Sequence, residues 1–282
     1  MPPRPTGLSS ADAQDDFLRA RRRQAIARLR ARAVRRGDLD LILPFDEVVA
    51  ALGRVGERDL GVQVIAVDSI VGSVDRASGF DRSFRPTSSR VRTRWERIAG
   101  MMRRGESLPP IQVYRIGDAH FVRDGHHRVS VARALGIDQL EAQVVETITR
   151  VGASRDLTIA DLPRKSHERV FHERVPLPAN EAAQIKPSDK LGYGVLAEAM
   201  EAWAFRAGQE RGELLDRERA AREWFETEYA PLVETLREAN QIGEGTETDA
   251  YLRVGPERYD RLVVSPPDDS PSGGGAGADA SG

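Results

Sequence analysis

The centre of the chain alternates short β-branched runs with glycine and proline, and longer helical periodicities flank it on both sides. Val62-Gln63-Val64-Ile65-Ala66-Val67 predicts a strand by its length and β-branched content. Residues 88–104 predict a helix with Ser88 or Ser89 as cap and Val91, Trp95, Ile98, Met101 and Met102 on its apolar side. Leu108-Pro109-Pro110 leads into Ile111-Gln112-Val113-Tyr114, a second strand. Gly117-Asp118 signals a hairpin turn, and Ala119-His120-Phe121-Val122 is the third strand. Asp124-Gly125 breaks that strand and opens a helix whose apolar side is Val129, Val131, Ala132 and Leu135, with Gly136 as its stop. Glu141-Ala142-Gln143-Val144-Val145 is a fourth strand.

Before this centre, residues 11–36 predict a helix with a narrow stripe of Leu18, Ala25, Leu29 and Ala33, Ile26 beside it, and a stop at Gly37. Phe45, Val48, Val49 and Leu52 form a short amphipathic turn. After the centre, Pro163, Pro176 and Pro178 mark a connection, and residues 191–240 are largely helical. There Leu196, Met200, Trp203 and Ala207 share one face, and Ala221, Trp224, Phe225, Tyr229, Leu232 and Leu236 another. Residues 265–282 are Pro, Gly, Ser, Ala and Asp and read as disordered. The pattern predicts an α+β chain in four parts: a basic helical extension over 1–60, a small mixed sheet with helices over 61–150, an acidic helical region over 151–264 and the tail.

Composition narrows the chemistry. The 282 residues include no cysteine, which removes disulfides, thiolate metal sites and cysteine nucleophiles and fits a reducing, cytoplasmic setting. No apolar run is long enough to span a bilayer and no secretory leader is read, so no membrane partner is expected. The net charge of −2 hides an asymmetry. Residues 1–36 hold ten arginines against Asp12, Asp15 and Asp16, about +7, whereas residues 181–250 sum to about −8. The basic helix admits two readings. Arg21, Arg22, Arg28 and Arg32 would contact nucleic-acid phosphates, DNA being the partner, or the helix would pack on the acidic C-terminal region, within one chain or between copies. No Walker loop or Gly-X-Gly-X-X-Gly occurs, and the five histidines have no spacing suited to a metal.

The chemistry concentrates in Asp124-Gly125-His126-His127-Arg128. A helix N-terminus offers unpaired N–H groups and about half a positive charge. Gly125 lets backbone approach a ligand, His126 and His127 add donors, and Arg128 can grip two phosphate oxygens. Asp124 at the N-cap position would cap the helix, hold a ribose or Mg2+, or act as a base. Plain capping explains the same residues as well. Ser73 and Arg76, in the polar stretch Ile70-Val71-Gly72-Ser73-Val74-Asp75-Arg76, would reach the same ligand, with an ordinary loop as the alternative. Arg82, Arg85, Arg90, Arg92 and Arg94 would draw in an anion or be solvated surface.

The order of these strands, with Leu108-Pro109-Pro110-Ile111-Gln112-Val113 followed by Phe121-Val122-Arg123-Asp124-Gly125-His126-His127-Arg128-Val129-Ser130-Val131-Ala132, resembles the ParB/sulfiredoxin-like family over about residues 61–147. The resemblance implies a nucleoside di- or triphosphate, CTP, ATP or ADP, held by Gly125, His126, His127 and Arg128. It implies either a DNA-associated switch of the chromosome-partitioning type or a small-molecule kinase or NTPase with Asp124 as base. The chain departs from sulfiredoxins in lacking their cysteine, and from partition proteins in carrying His-His-Arg where they carry Glu-Arg-Arg.

Overall fold

A computed structural model describes residues 9–33, 42–74 and 79–263. Arg76, the stop at Gly37 and the stretch 265–282 lie outside the described residues, as does the side chain of Arg32. The fold is α+β, and the chain divides into two compact units at Glu173/Arg174.

The first unit is built on a six-stranded mixed sheet. Its elements in order are α1 (Ser9–Ala33), β1 (Leu43–Pro44), α2 (Phe45–Leu52), β2 (Arg54–Ala66), β3 (Ile70–Ser73), α3 (Arg92–Arg103), β4 (Ile111–Ile116), β5 (Ala119–Asp124), α4 (His126–Leu135), β6 (Gln139–Thr149) and α5 (Leu162–Arg174). The strands lie in the order β1-β3-β5-β4-β6-β2. Pairing is antiparallel for β4–β5 and β2–β6 and parallel elsewhere. The β4–β5 hairpin closes on Gly117, whose φ is +59° and whose Cβ, if present, would lie 2.2 Å from the Ala153 carbonyl oxygen. Ala119 through Val122 are all buried, as a strand covered on both faces requires.

Each sheet face carries its own core. Ile65, Ile111, Val113, Val122, Ala142 and Val144 pack against Val129 and Ala132 of α4. On the other face Val71, Ile116 and Phe121 pack with Leu43 and with Phe45, Val48 and Leu52 of α2. A third cluster joins α1, α3 and α4 through Phe17, Trp95, Ile98 and Val131. Within it the Trp95 Nε1–H donates to Ser130 Oγ at 2.8 Å, tying α3 to α4.

Several expectations need correcting. The sheet begins before residue 61, because β1 and the first half of β2 belong to it. That half is polar and lacks alternation. It is held by register with β6 and by cross-strand pairs such as Arg58–Glu146 and Gln143–Asp59. Residues 70–73 are strand β3, not loop, and the turn at 45–52 is helix α2. The helix predicted from residue 88 starts as a 3-10 turn over Ser89–Val91, capped by Ser88 Oγ accepting from Arg90 N–H.

The stripe of α1 also differs. Leu18 and Ile26 are 52% and 46% exposed, while Ala13, Phe17 and Ala20 are buried with Asp12 and Asp16. The reason is electrostatic. Arg103 on α3 donates from Nε and Nη2 to Asp16 Oδ2 at 2.8 and 2.6 Å, so the acidic edge of α1 docks, not its leucine edge. The basic helix therefore packs within its own unit, on α3 and α4.

The second unit holds α6 (Ala179–Ala182), α7 (Gly192–Arg211), α8 (Arg217–Trp224), a π-helical turn (Phe225–Tyr229), α9 (Ala230–Glu238) and α10 (Glu247–Val263). Leu196, Met200, Trp224, Tyr229 and Tyr251 are buried in it, and Trp203 is half-buried. The Tyr229 hydroxyl meets Thr248 Oγ1 at 2.7 Å, and burial pushes its pKa up to about 12.

Candidate functional site

Backbone conformation creates the site at the first turn of α4. Gly125 has φ +111° and ψ 13°, a left-handed conformation that carries the chain from β5 into the helix. A Cβ there would lie 2.4 Å from Ile111 Cγ2 and 2.8 Å from Ile111 Cβ, so the position needs glycine for space as well as for φ. Gly125, not Asp124, is the N-cap, and having no side chain it caps nothing. Val129 N–H donates to Gly125 O at 3.0 Å. The N–H groups of His127 and Arg128 have no acceptor among the described residues. These are the donors that a helix turns toward an anion.

The structure brings Ser73 to this turn. Ser73 is buried at the end of β3, and its Oγ lies 2.7 Å from His126 Nε2 and 3.3 Å from the Val122 carbonyl. If the hydroxyl donates to that carbonyl, it accepts from His126 Nε2–H. The hydroxyl and imidazole thus link the end of β3 to the first turn of α4.

The two histidines part company. The His126 ring stacks with Phe84 at 6.2 Å, and the His127 ring meets Phe80 edge-on at 5.2 Å. Burial pushes the His127 pKa down to about 4, with Arg94 and His126 adding like charge. Its Nδ1 is buried with no hydrogen-bond partner. His127 is therefore neutral near pH 7, and its side chain lines the site without bringing a cation to it.

The loop that supplies these rings shows no signal in the sequence beyond its arginines. Asp81 organises it. Asp81 Oδ1 accepts from Ser83 N–H and Arg85 N–H, and Oδ2 from Arg85 Nε. Phe84 bears the conformational strain, sitting at φ +55° with its ring fully buried. The guanidinium of Arg133 covers the Phe84 ring at 5.2 Å while Nη2 donates to the Val67 and Ile70 carbonyls.

Arg128 and Asp124 hold each other. Arg128 Nη1 donates to the Pro109 and Pro110 carbonyls, and Nη2 donates to Asp124 Oδ2 at 2.6 Å. With its side chain only 12% exposed, Arg128 clamps the Pro109-Pro110 lead into β4. Asp124 is still a strand residue, paired with Gln112, and its side chain turns outward to 57% exposure. A hollow of about 330 Å³ adjoins Arg128 on the side of Met102, Leu108 and Leu140, but Glu106 and Glu141 also line it and disfavour an anion there. No group of three or more potential metal ligands occurs among the described residues.

Of the nucleic-acid candidates, Arg21 donates to the Pro86 carbonyl at 3.5 Å, and Arg22 and Arg28 are exposed on α1. Comparison with protein-family models, curated proteins and solved structures finds no match for the chain.

Proposed function

We propose that the protein binds a nucleoside di- or triphosphate at the first turn of α4, in the manner its resemblance to the ParB/sulfiredoxin-like family implies. One observation carries this reading. A left-handed Gly125, with no room for a Cβ, opens a helix whose early N–H groups lack acceptors among the described residues, beside a Ser73–His126 pair. The phosphates lie against the N–H groups of His127 and Arg128, with the His126 imidazole beside them and the Ser73 hydroxyl holding that ring in place. Arg128 serves as a positioning residue that fixes the turn, and His127 as a neutral wall. Because Ser73 ends β3 and His126 begins α4, a phosphate held here lies beside both elements, and it acts as a switch only if two arrangements of them bind it with different affinity. The alternative phosphotransferase or NTPase reading needs Asp124 released from Arg128 before it can act as a base.

The test is thermal unfolding of the full chain with CTP, ATP and ADP, each with and without Mg2+. A ligand at a hundred times its Kd adds about 2.7 kcal/mol to stability. One or more nucleotides should raise the melting temperature of the wild type, and His126→Ala should lose most of that shift. No shift with any nucleotide rejects the proposal. His126→Ala is a sharper probe than Arg128→Ala, which would also release the Pro109-Pro110 segment.

A further inference from the structure

The two edges of the sheet differ. Strand β1 is two residues long and contains Pro44, so it offers little to pair with. Strand β2 runs over 13 residues, and among the described residues it pairs only with β6. Long edges are ordinarily guarded by charge, proline or bulges. The first half of β2 has such guards in Arg54, Glu57, Arg58 and Asp59, with register shifts between Arg54 and Gly56 and between Asp59 and Gly61. The stretch Val62-Gln63-Val64-Ile65-Ala66 has none of them. It carries no charge, no proline and no register shift, and Val62 and Val64 are 58% and 62% exposed.

One hydrogen bond fixes the phase of this stretch. Val67 N–H donates to Asp138 O at 2.8 Å, one step beyond the Ala66–Gln139 pair. Bonded and non-bonded pairs alternate in an antiparallel ladder, so Ile65–Leu140 and Gln63–Ala142 exchange bonds, and Val64–Glu141 and Val62–Gln143 do not. The N–H and C=O groups of Val62 and Val64 therefore point away from β6. Ala66 has the same phase, and its carbonyl accepts from Ser69 Oγ–H at 2.6 Å, not from β6. The side chains of Val62 and Val64 stand on the sheet face away from α4, because Ala142 and Val144 of β6, which alternate with their partners, pack on α4. Open backbone groups and exposed apolar side chains are thus offered together at one edge.

We infer that β2 pairs antiparallel with β2 of a second copy of this chain, about a twofold axis at Gln63. The stretch is its own complement. With Gln63 opposite Gln63 of the second copy, Val62 faces Val64 on each side of the axis, and each such pair exchanges both its N–H···O bonds. The register sets outward-pointing residue against outward-pointing residue, which the phase demands. The valines of both copies then form one apolar patch across the seam. Arg58 and Asp68 are equally far from Gln63 along the chain, and both side chains are well exposed, at 64% and 76%. The same register brings Arg58 of each copy to the level of Asp68 of the other, and sets no like charges opposite one another. Charge complementarity and matching phase favour a second copy over an unrelated strand, which would share only the backbone pattern. The seam uses neither the nucleotide site nor the opposite charges of α1 and the acidic region. A contact this short is at the small end of specific interfaces, so dimerisation should depend on concentration.

Sedimentation velocity of the full chain between about 1 μM and 1 mM should show monomer giving way to dimer. Val62→Lys/Val64→Lys lines the edge with cations and should stay monomeric through the same range. Both valines are exposed, so this variant should melt with the wild type and keep any nucleotide-induced shift. If it unfolds, Val64→Pro replaces it, with the same loss of dimer expected, because it removes an outward donor and leaves the β6 ladder whole. A second measurement exploits the absence of cysteine from the chain. Gln63→Cys puts one thiol on the axis at a non-bonded pair, where opposite Cα atoms lie about 4.5 Å apart, within reach of a disulfide. Under mild oxidation it should form a covalent dimer several times faster than Glu226→Cys, an exposed position in the second unit. His126→Ala should dimerise like the wild type, which separates this inference from the nucleotide proposal. A wild type that stays monomeric at the highest concentration would overturn it. So would a dimer that survives the double lysine change, or Gln63→Cys cross-linking no faster than Glu226→Cys, since either result places self-association on another face.

Discussion

His126 Nε2 lies 2.7 Å from Ser73 Oγ, which joins the first turn of α4 to the end of β3 across the mouth of the candidate site. Ser73→Ala removes the hydroxyl from a buried position and takes this hydrogen bond from His126. The loss of one such bond costs about 1 kcal/mol, so the variant should fold with a modestly lower midpoint in urea. Its nucleotide-induced thermal shift should fall much further than its stability. A Ser73→Ala protein with the full wild-type shift would remove the hydroxyl from the proposed phosphate site.

Gly125 and Gly136 bracket α4, and both have positive φ, +111° and +73°. They differ in surroundings. A Cβ at Gly125 meets Ile111 at 2.4 Å, whereas nothing lies within 4 Å of one at Gly136. Gly136→Ala should therefore cost only the left-handed backbone term, about 1–2 kcal/mol. Gly125→Ala adds overpacking against Ile111, typically about 1–3 kcal/mol more. Denaturant unfolding of the two variants side by side checks the difference. Equal losses would mean that Ile111 yields freely and that the glycine is required for φ alone.

The local parts of this site were legible in the sequence because local rules govern them. Gly117-Asp118 marks a hairpin by turn chemistry, and Gly125 marks a strand-to-helix break because a left-handed residue is needed there. The rest depends on partners distant along the chain. Phe84 takes φ +55° only because Asp81 gathers three donors around it and the ring finds His126. Helix α1 buries Asp16 because Arg103 waits on α3, and hydrophobic periodicity alone favours Leu18. The charged first half of β2 carries no apolar alternation, and β6 supplies its register.

Asp16 tests how α1 is held. Its carboxylate is buried and takes hydrogen bonds from Arg103 and Arg19. Removing one member of a buried pair costs about 3–5 kcal/mol, but Arg19 is well exposed and water can reach that side. Asp16→Ala should accordingly lose about 2–3 kcal/mol and expose Phe17 and Trp95, visible as a red shift in tryptophan emission. Asp16→Leu with Arg103→Met should recover most of the loss, because apolar replacements leave no stranded charge. Failure of the double variant to recover would show that the pair does more than bridge the two helices.

Acid should weaken the first unit before its carboxylates titrate. His120 is buried, with its Nδ1 2.9 Å from Ser69 Oγ. Ser69 Oγ donates to the Ala66 carbonyl, so it accepts from His120 Nδ1–H. Burial pushes the His120 pKa down to about 4, Arg115 adds repulsion and Asp118 partly opposes it. His127 is likewise pushed down to about 4, and burial also lowers His172. Between the unfolded value near 6.5 and about 4, the unfolded chain binds protons that the folded one refuses. Stability is therefore fully present above about pH 6.5, declines as pH falls toward 4 and levels off below that for His120 and His127. For His120 the difference is on the order of 3 kcal/mol, an upper figure that relaxation of the site would reduce. Urea midpoints taken from pH 7.5 to pH 4.5 should fall steadily in the wild type. The fall should be shallower in His120→Gln, whose amide can still donate to Ser69, and in His127→Phe, which keeps an aromatic ring against Phe80. Parallel curves for all three proteins would trace the acid sensitivity to groups other than these histidines.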